Sequence, residues 1–280
     1  MRLKSPAELE VMSRAGRAAC AALHDALAAS RPGVSTGEID AVVERSLRGL
    51  GAEGLFRGYR QGASPPFPGT CCISVNEEIV HGIPGPRVLR AGDVVSIDVG
   101  LRLGGWCVDT ARTLVVGGES GIGPAAVARE SERLRLVEAT RELLEVAISM
   151  MRPGRAWSAI ALELERRAEA TGFGLVTEYV GHGVGRDLHE GPKAPAYWSG
   201  FAGEDFELVP GLVLAVEPML SAGRGVSDAA RGGLPGWRMP VRLLSDGWTV
   251  VTADGSPAAH EEHTVAVTAD GARVLTTAGA

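Results

Sequence analysis

Apolar residues recur at three- and four-residue spacing from residue 7 to 30, at Leu9, Met12, Ala15, Ala19, Leu23 and Leu27, which predicts a helix ended by Arg31-Pro32-Gly33. Ser35 then stands three residues before Glu38, a capping box that opens a second helix to about Leu50. Residues 71–80, 93–101 and 106–116 carry the β-branched runs of strands, and the last two flank Leu103-Gly104-Gly105, which predicts a hairpin. A long helix is expected over 125–151 with Leu134, Val137, Leu144 and Ile148 on one side, and another over 156–171. Strands are expected near 175–180 and over 211–217.

The second half repeats the plan of the first. Arg31-Pro32-Gly33 through Ile39 matches Arg152-Pro153-Gly154 through Ile160 at a constant spacing of 121 residues. Gly92-Asp93-Val94-Val95-Ser96-Ile97-Asp98 resembles Gly211-Leu212-Val213-Leu214-Ala215-Val216-Glu217 at a spacing of 119. A second carboxylate follows in each half, Asp109 before Thr110–Leu114 and Glu262 before His263–Val267. The chain therefore reads as a single catalytic domain, 1–280, of α+β class. It has two helix–helix–strand halves, about 7–116 and 125–267, related by a pseudo-twofold axis around a central antiparallel sheet. Residues 221–247, rich in glycine and arginine and without periodicity, read as an inserted loop or flap.

Composition narrows the function classes. With 28 Lys+Arg against 34 Asp+Glu, the net charge is −6, which leaves no basic footprint for nucleic acid. No apolar run approaches the roughly 20 residues that span a bilayer. The basic start Met1–Lys4 has no apolar core behind it, so no signal peptide is expected. Cys20, Cys71, Cys72 and Cys107 lack metal or redox spacing and suit a reducing cytoplasm.

Asp98 and Glu217 each end an apolar strand, where a carboxylate is costly unless paired or bound to metal. With Asp109, Glu262 and an imidazole they form a hard, oxygen-rich set. Four negative charges suit a pair of divalent cations better than a tetrahedral zinc. Two such ions about 3.5–4 Å apart can bridge a water, lower its pKa and polarise a carbonyl, which points to amide or ester hydrolysis. Of the histidines, His81, His182 and His189 lie in glycine-flanked turns where backbone and ligand approach closely, while His24 reads as structural or surface. Gly33-Val34-Ser35-Thr36-Gly37 matches a nucleophile elbow, but a helix end precedes it where a strand is required. His260-Glu261-Glu262-His263 has its histidines three apart and runs into a strand, so it is not a zincin helix.

The ordered motifs resemble the type I methionine aminopeptidases, of the pita-bread metallohydrolase fold, from about Lys4 to about Val267. They are Cys72-Ile73-Ser74-Val75-Asn76-Glu77, His81-Gly82-Ile83-Pro84, Ile97-Asp98-Val99-Gly100, Asp109-Thr110-Ala111-Arg112-Thr113, Gly181-His182-Gly183-Val184-Gly185, His189-Glu190-Gly191-Pro192, Glu217-Pro218-Met219 and Glu262-His263-Thr264. The resemblance implies that Asp98, Asp109, His182, Glu217 and Glu262 ligate two divalent ions (Mn, Fe, Co or Zn), with Asp109 and Glu262 bridging them. It implies that the bridging hydroxide attacks the carbonyl of an N-terminal methionine, with Glu217 handling the water proton. His189 then stabilises the oxyanion and His81 positions the peptide. Phe67, Cys72, Leu188 and Trp248 line the methionine pocket. The implied substrates are N-terminal Met peptides and nascent chains with a small second residue, met in the cytoplasm, with docking to the ribosome open. A monomer, with no membrane or nucleic-acid partner, is expected.

Three departures bear on specificity: the long stretch between Glu217 and Glu262, Leu188 where an aromatic is common, and the atypical Ala63-Ser64-Pro65-Pro66. Two other readings compete. A proline-directed peptidase of the same fold usually carries a further N-terminal domain, and a binding module would have lost ligands.

Overall fold

Two helices open the chain where the apolar period placed them. α1 spans Pro6–Ala29 and α2 spans Thr36–Gly49, in a computed structural model that describes residues 1–117, 124–223, 225–228 and 234–278. Each starts with a complete capping box, Ser5 with Glu8 and Ser35 with Glu38. The side-chain oxygen takes an orphan helix N–H and the glutamate returns to the cap's own N–H. Leu9, Met12, Ala19 and Leu23 of α1 and Ile39, Val43 and Leu47 of α2 share one core with Ile73, Val95 and Ile97. Each full burial of a large aliphatic side chain stabilises by about 1.5–3 kcal/mol.

The second helix pair follows, α3 over Pro124–Met150 and α4 over Trp157–Thr171. The buried face of α3 differs from the expected one. Leu136, Val137, Leu143, Leu144 and Ala147 are buried, whereas Leu134 is 51% exposed. The true stripe is one step round the helix, and a stretch with leucines on both sides of that step cannot fix its own face. At the start of α4 Ala156 offers no side-chain cap. Asp205, 47 residues away, accepts from Ser158 N and Ser158 Oγ instead.

The expected strands over 93–101 and 106–116 are each broken in two. Val94–Asp98 pairs antiparallel with Cys72–Val75 on one side and Ala111–Val115 on the other. Beyond the break, Leu101–Leu103 pairs with Trp106–Val108 around the expected Gly104-Gly105 turn. At the break, a Cβ on Gly100 would meet the Phe56 ring. Asp98 is the last paired residue before that break, and Asp109 lies between the two halves of the returning strand. The 71–80 run is split too, by a turn at Asn76 (φ 59°).

In the second half Val213–Val216 pairs antiparallel with His263–Thr268 and with Gly181–Gly183. Glu190–Ala194 and Gly271–Val274 close this five-stranded sheet at its edges. Gly181–Gly183 was not expected as a strand, since glycine has low strand preference. It extends because partners lie on both sides, and a Cβ on either glycine would overlap the carbonyl of Ala215 or Gly191. The run near 175–180 shrinks to Gly174–Leu175.

The expected loop or flap over 221–247 is corrected. Val226–Asp228, Leu234–Arg238 and Val241–Leu243 are strands. Leu234–Arg238 lies between Val226–Asp228 and Gly174–Leu175, and Trp237 and Met239 are buried there. Those anchors, rather than any alternation, make the segment part of the body. Residues 224 and 229–233 of that expected loop lie outside the described residues. Among the described residues, no helix is long and apolar enough to cross a membrane.

Candidate metal centre and cleft

The two strand breaks and the second-half sheet meet at one cavity of about 410 Å³. The main chains that carry the carboxylates are fixed to each other. Asp109 N donates to Thr264 Oγ1, and Thr264 Oγ1 donates back to Asp109 O, both within 2.9 Å. Glu262 N donates to Ala111 O at 3.0 Å, and Thr110 Oγ1 donates to Glu262 O at 2.9 Å. Asp109 of the first half is thus held by the second half, and Glu262 of the second by the first.

Asp98, Asp109, His182, Glu217 and Glu262 all face this cavity. Ligand atoms of Asp109, His182 and Glu262 lie within 4.8 Å of one another. His182 Nε2 is 3.5 Å from Glu217 Oε1. His182 Nδ1 lies 2.9 Å from Gly183 O. A carbonyl only accepts, so Nδ1 carries the proton and the Nε2 lone pair faces the carboxylates.

Charge makes this arrangement costly as it stands. Among the described residues, no lysine or arginine pairs with any of the four carboxylates. Asp98 Oδ1 and Asp109 Oδ1 are buried without a hydrogen-bond partner. Burial pushes all four acids up, Asp109 to about 7 and Glu217 to about 8. Repulsion from neighbouring carboxylates adds to the rise in Asp98, Glu217 and Glu262. An uncompensated buried charge costs several kcal/mol, so the cluster must take up protons or cations. Acidic oxygens with one oriented imidazole fit divalent cations.

Beside the carboxylates an apolar cluster lines the cavity: Phe56, Phe67, Cys72, Leu188 and Trp248. Phe67 meets Trp248 edge to face at 5.4 Å, and Trp248 Nε1 donates to Pro65 O at 2.7 Å. The atypical 60–66 loop is fastened to the 244–249 turn by that bond and by Ser64 Oγ donating to Gly247 O. Leu188, in place of an aromatic, keeps the wall apolar. Burial raises the Cys72 thiol well above its ordinary value, so it stays a neutral, soft surface.

His81 and His189 flank the same space. His81 sits at φ 57°, an uncommon left-handed conformation for a residue with a Cβ, and packs edge to face on Tyr179 at 5.5 Å. The turn needs Gly82 next, because a Cβ there would overlap the Ile73 carbonyl. Burial lowers His81 to about 4, and it lowers His189 as well. The His189 ring lies 4.3 Å from that of His182, and Tyr59 Oη lies 2.9 Å from His189 Nδ1.

Every residue singled out in the sequence for this site lines the one cavity. Other lining residues carried no signal in the sequence, His260, Tyr59 and Tyr179 among them. His260 was set aside with the false zincin motif, yet its buried Nε2 has no partner and lies 3.8 Å from Glu217 Oε2 and 3.9 Å from Glu262 Oε2. Tyr59 and Tyr179 sit in loops with no local pattern. Behind the site, Glu261 is fully buried (0% exposed) and accepts from Arg112 Nη1 at 2.6 Å and from Thr113 N at 3.1 Å. Arg112 Nη2 reaches His263 Nε2 at 2.7 Å, which tightens the join between the halves.

Comparison with known proteins follows the same lines. The pattern of metallopeptidase family M24 matches residues 10–269. Methionine aminopeptidase 1 of Bacillus subtilis is 41% identical over 273 residues, covering 98% of each chain. The solved structure of a methionine aminopeptidase from Thermotoga maritima is 37% identical, with a TM-score of 0.84 and 99% of both chains covered. Prolidase from Pyrococcus furiosus is 21% identical with a TM-score of 0.71, covering 99% of this chain and 66% of that one, and shows the shared fold.

Proposed function

The chain belongs to metallopeptidase family M24 and to its methionine aminopeptidases, and from that premise we propose that the cleft releases the N-terminal methionine of peptides and nascent chains. One observation carries this reading: a buried carboxylate cluster, without a lysine or arginine partner among the described residues, opens directly onto a small apolar pocket. The likeness to prolidase shows fold alone.

Asp98, Asp109, His182, Glu217 and Glu262 would hold two divalent cations of the Mn, Fe, Co or Zn kind. When bound, such ions supply Lewis acidity and lower the pKa of a water. Phe67, Cys72, Leu188 and Trp248 take the methionine side chain, where aromatic edges suit a thioether. His81 orients the peptide backbone from its strained turn. His189 Nε2 donates to the scissile carbonyl oxygen and stabilises the charge that develops there. Glu217 takes the proton of the attacking water and passes it to the leaving amine. A small second residue is expected, as the family resemblance implies.

The test is metal-dependent release of the N-terminal amino acid from Met-Ala-Ser, Met-Lys-Ser and Ala-Pro-Ser. Metal-stripped protein is supplied in turn with Mn²⁺, Fe²⁺, Co²⁺ and Zn²⁺. Release from Met-Ala-Ser alone is the expected result. Cleavage of Ala-Pro-Ser instead moves the assignment to a proline-directed peptidase, and no cleavage with any metal overturns the enzyme reading.

A further inference from the structure

Two imidazoles stand side by side in the cleft, and each is gripped at Nδ1 by a different kind of partner. The partner of His182 is the Gly183 carbonyl, which only accepts. The partner of His189 is the Tyr59 phenol, at 2.9 Å. A phenol always holds a proton to give, and no other described group accepts from Tyr59 Oη. The phenol and the ring are both satisfied when Tyr59 Oη donates to His189 Nδ1. A neutral imidazole that accepts at Nδ1 carries its hydrogen on Nε2.

The loop fixes Tyr59 for this task. Tyr59 N donates to Phe56 O at 2.8 Å, and Phe67 N donates to Tyr59 O at 2.9 Å. Its main chain is thus tied to two residues of the pocket wall. The Tyr59 ring lies 6.3 Å from Trp248 and 5.6 Å from the His189 ring. The ring thus rests beside both, with its hydroxyl toward His189 Nδ1.

The geometry points to Tyr59 as a positioning residue that holds His189 in the Nε2–H form, so that its free nitrogen donates to the peptide carbonyl while that of His182 keeps a lone pair. Opposite tautomers on neighbouring rings follow from opposite partners. This inference rests on the proposed function and deepens it, because it states how this chain makes one imidazole a donor beside another that is a ligand.

The experiment uses the full-length, zinc-loaded protein labelled with ¹⁵N-histidine. Long-range ¹H–¹⁵N spectra report which ring nitrogen is protonated, and the His189 signal is the one missing from His189→Gln. The expected result is an Nε2–H ring in the unmutated protein and a mixture of tautomers in Tyr59→Phe. Tyr59→Phe is also expected to lower kcat on the order of tenfold with KM within about twofold and zinc content unchanged. His189 protonated on Nδ1 in the unmutated protein overturns the inference. A Tyr59→Phe variant that keeps its tautomer overturns it too, whatever happens to kcat. Absence of methionine release from the unmutated protein defeats the peptidase reading, while the spectrum, which needs no turnover, still decides the tautomer.

Discussion

The strand pair Val94–Asp98 and Ala111–Val115 of the first half and the pair Val213–Val216 and His263–Thr268 of the second are built alike. In each an apolar strand leads to a carboxylate and a second carboxylate precedes the returning strand. What they add to the cleft differs. The first pair is flanked by Cys72–Val75, whose first residue joins the apolar wall. The second is flanked by Gly181–Gly183, which brings in His182. One scaffold used twice thus supplies the charge, and the neighbouring strands divide pocket from imidazole. The reciprocal bonds between Asp109 and Thr264 and between Glu262 and Ala111 then make the two pairs one unit.

The largest effect is expected from breaking that unit at its shared carboxylates. Asp109→Asn and Glu262→Gln should each cut methionine release more than about 10³-fold and lower bound metal, with far-UV circular dichroism unchanged. The double variant should be no worse than either single one, since residues acting as a unit are far from additive. Multiplying losses would show that the two halves act separately.

A smaller effect tests the join behind the site. Arg112→Met leaves the fully buried Glu261 without its closest cation, which should cost roughly 3 kcal/mol in urea unfolding. Replacing Glu261 by Met as well should recover most of that loss. If the double variant is as unstable as the single one, the pair is more than a charge match between halves.

The smallest effect compares how the halves cap their helices. Ser35→Ala removes a local cap from α2, and Asp205→Ala removes a remote one from α4. Each should cost about 1 kcal/mol in the same unfolding measurement. A negligible loss at Asp205 would mean that α4 is started by packing of Trp157 alone.

These caps also show where the sequence was readable. Ser35 and Glu38 lie three residues apart, so the bonds they make are dictated by the helix itself. Asp205 caps a helix through Ser158, 47 residues earlier, and nothing near Ala156 records it. The same contrast holds in the cleft. Asp98 and Glu217 stood out because a charge at the end of an apolar run is costly wherever it occurs. His260 and Tyr59 did not, because their meaning depends on what lies across the cavity.

By itself the sequence determined the helix start at Ser35, the doubled plan and the residues of the carboxylate cluster. Each is written in spacings of a few residues or in repeats of one pattern, which local physics or self-similarity makes visible. Tertiary structure alone decided where the strands break, which face of α3 is buried, that Val226–Asp228, Leu234–Arg238 and Val241–Leu243 join sheets, and which nitrogen of each imidazole is held. Those outcomes depend on partners far away in the chain, and packing and hydrogen bonding choose them only once the two halves meet.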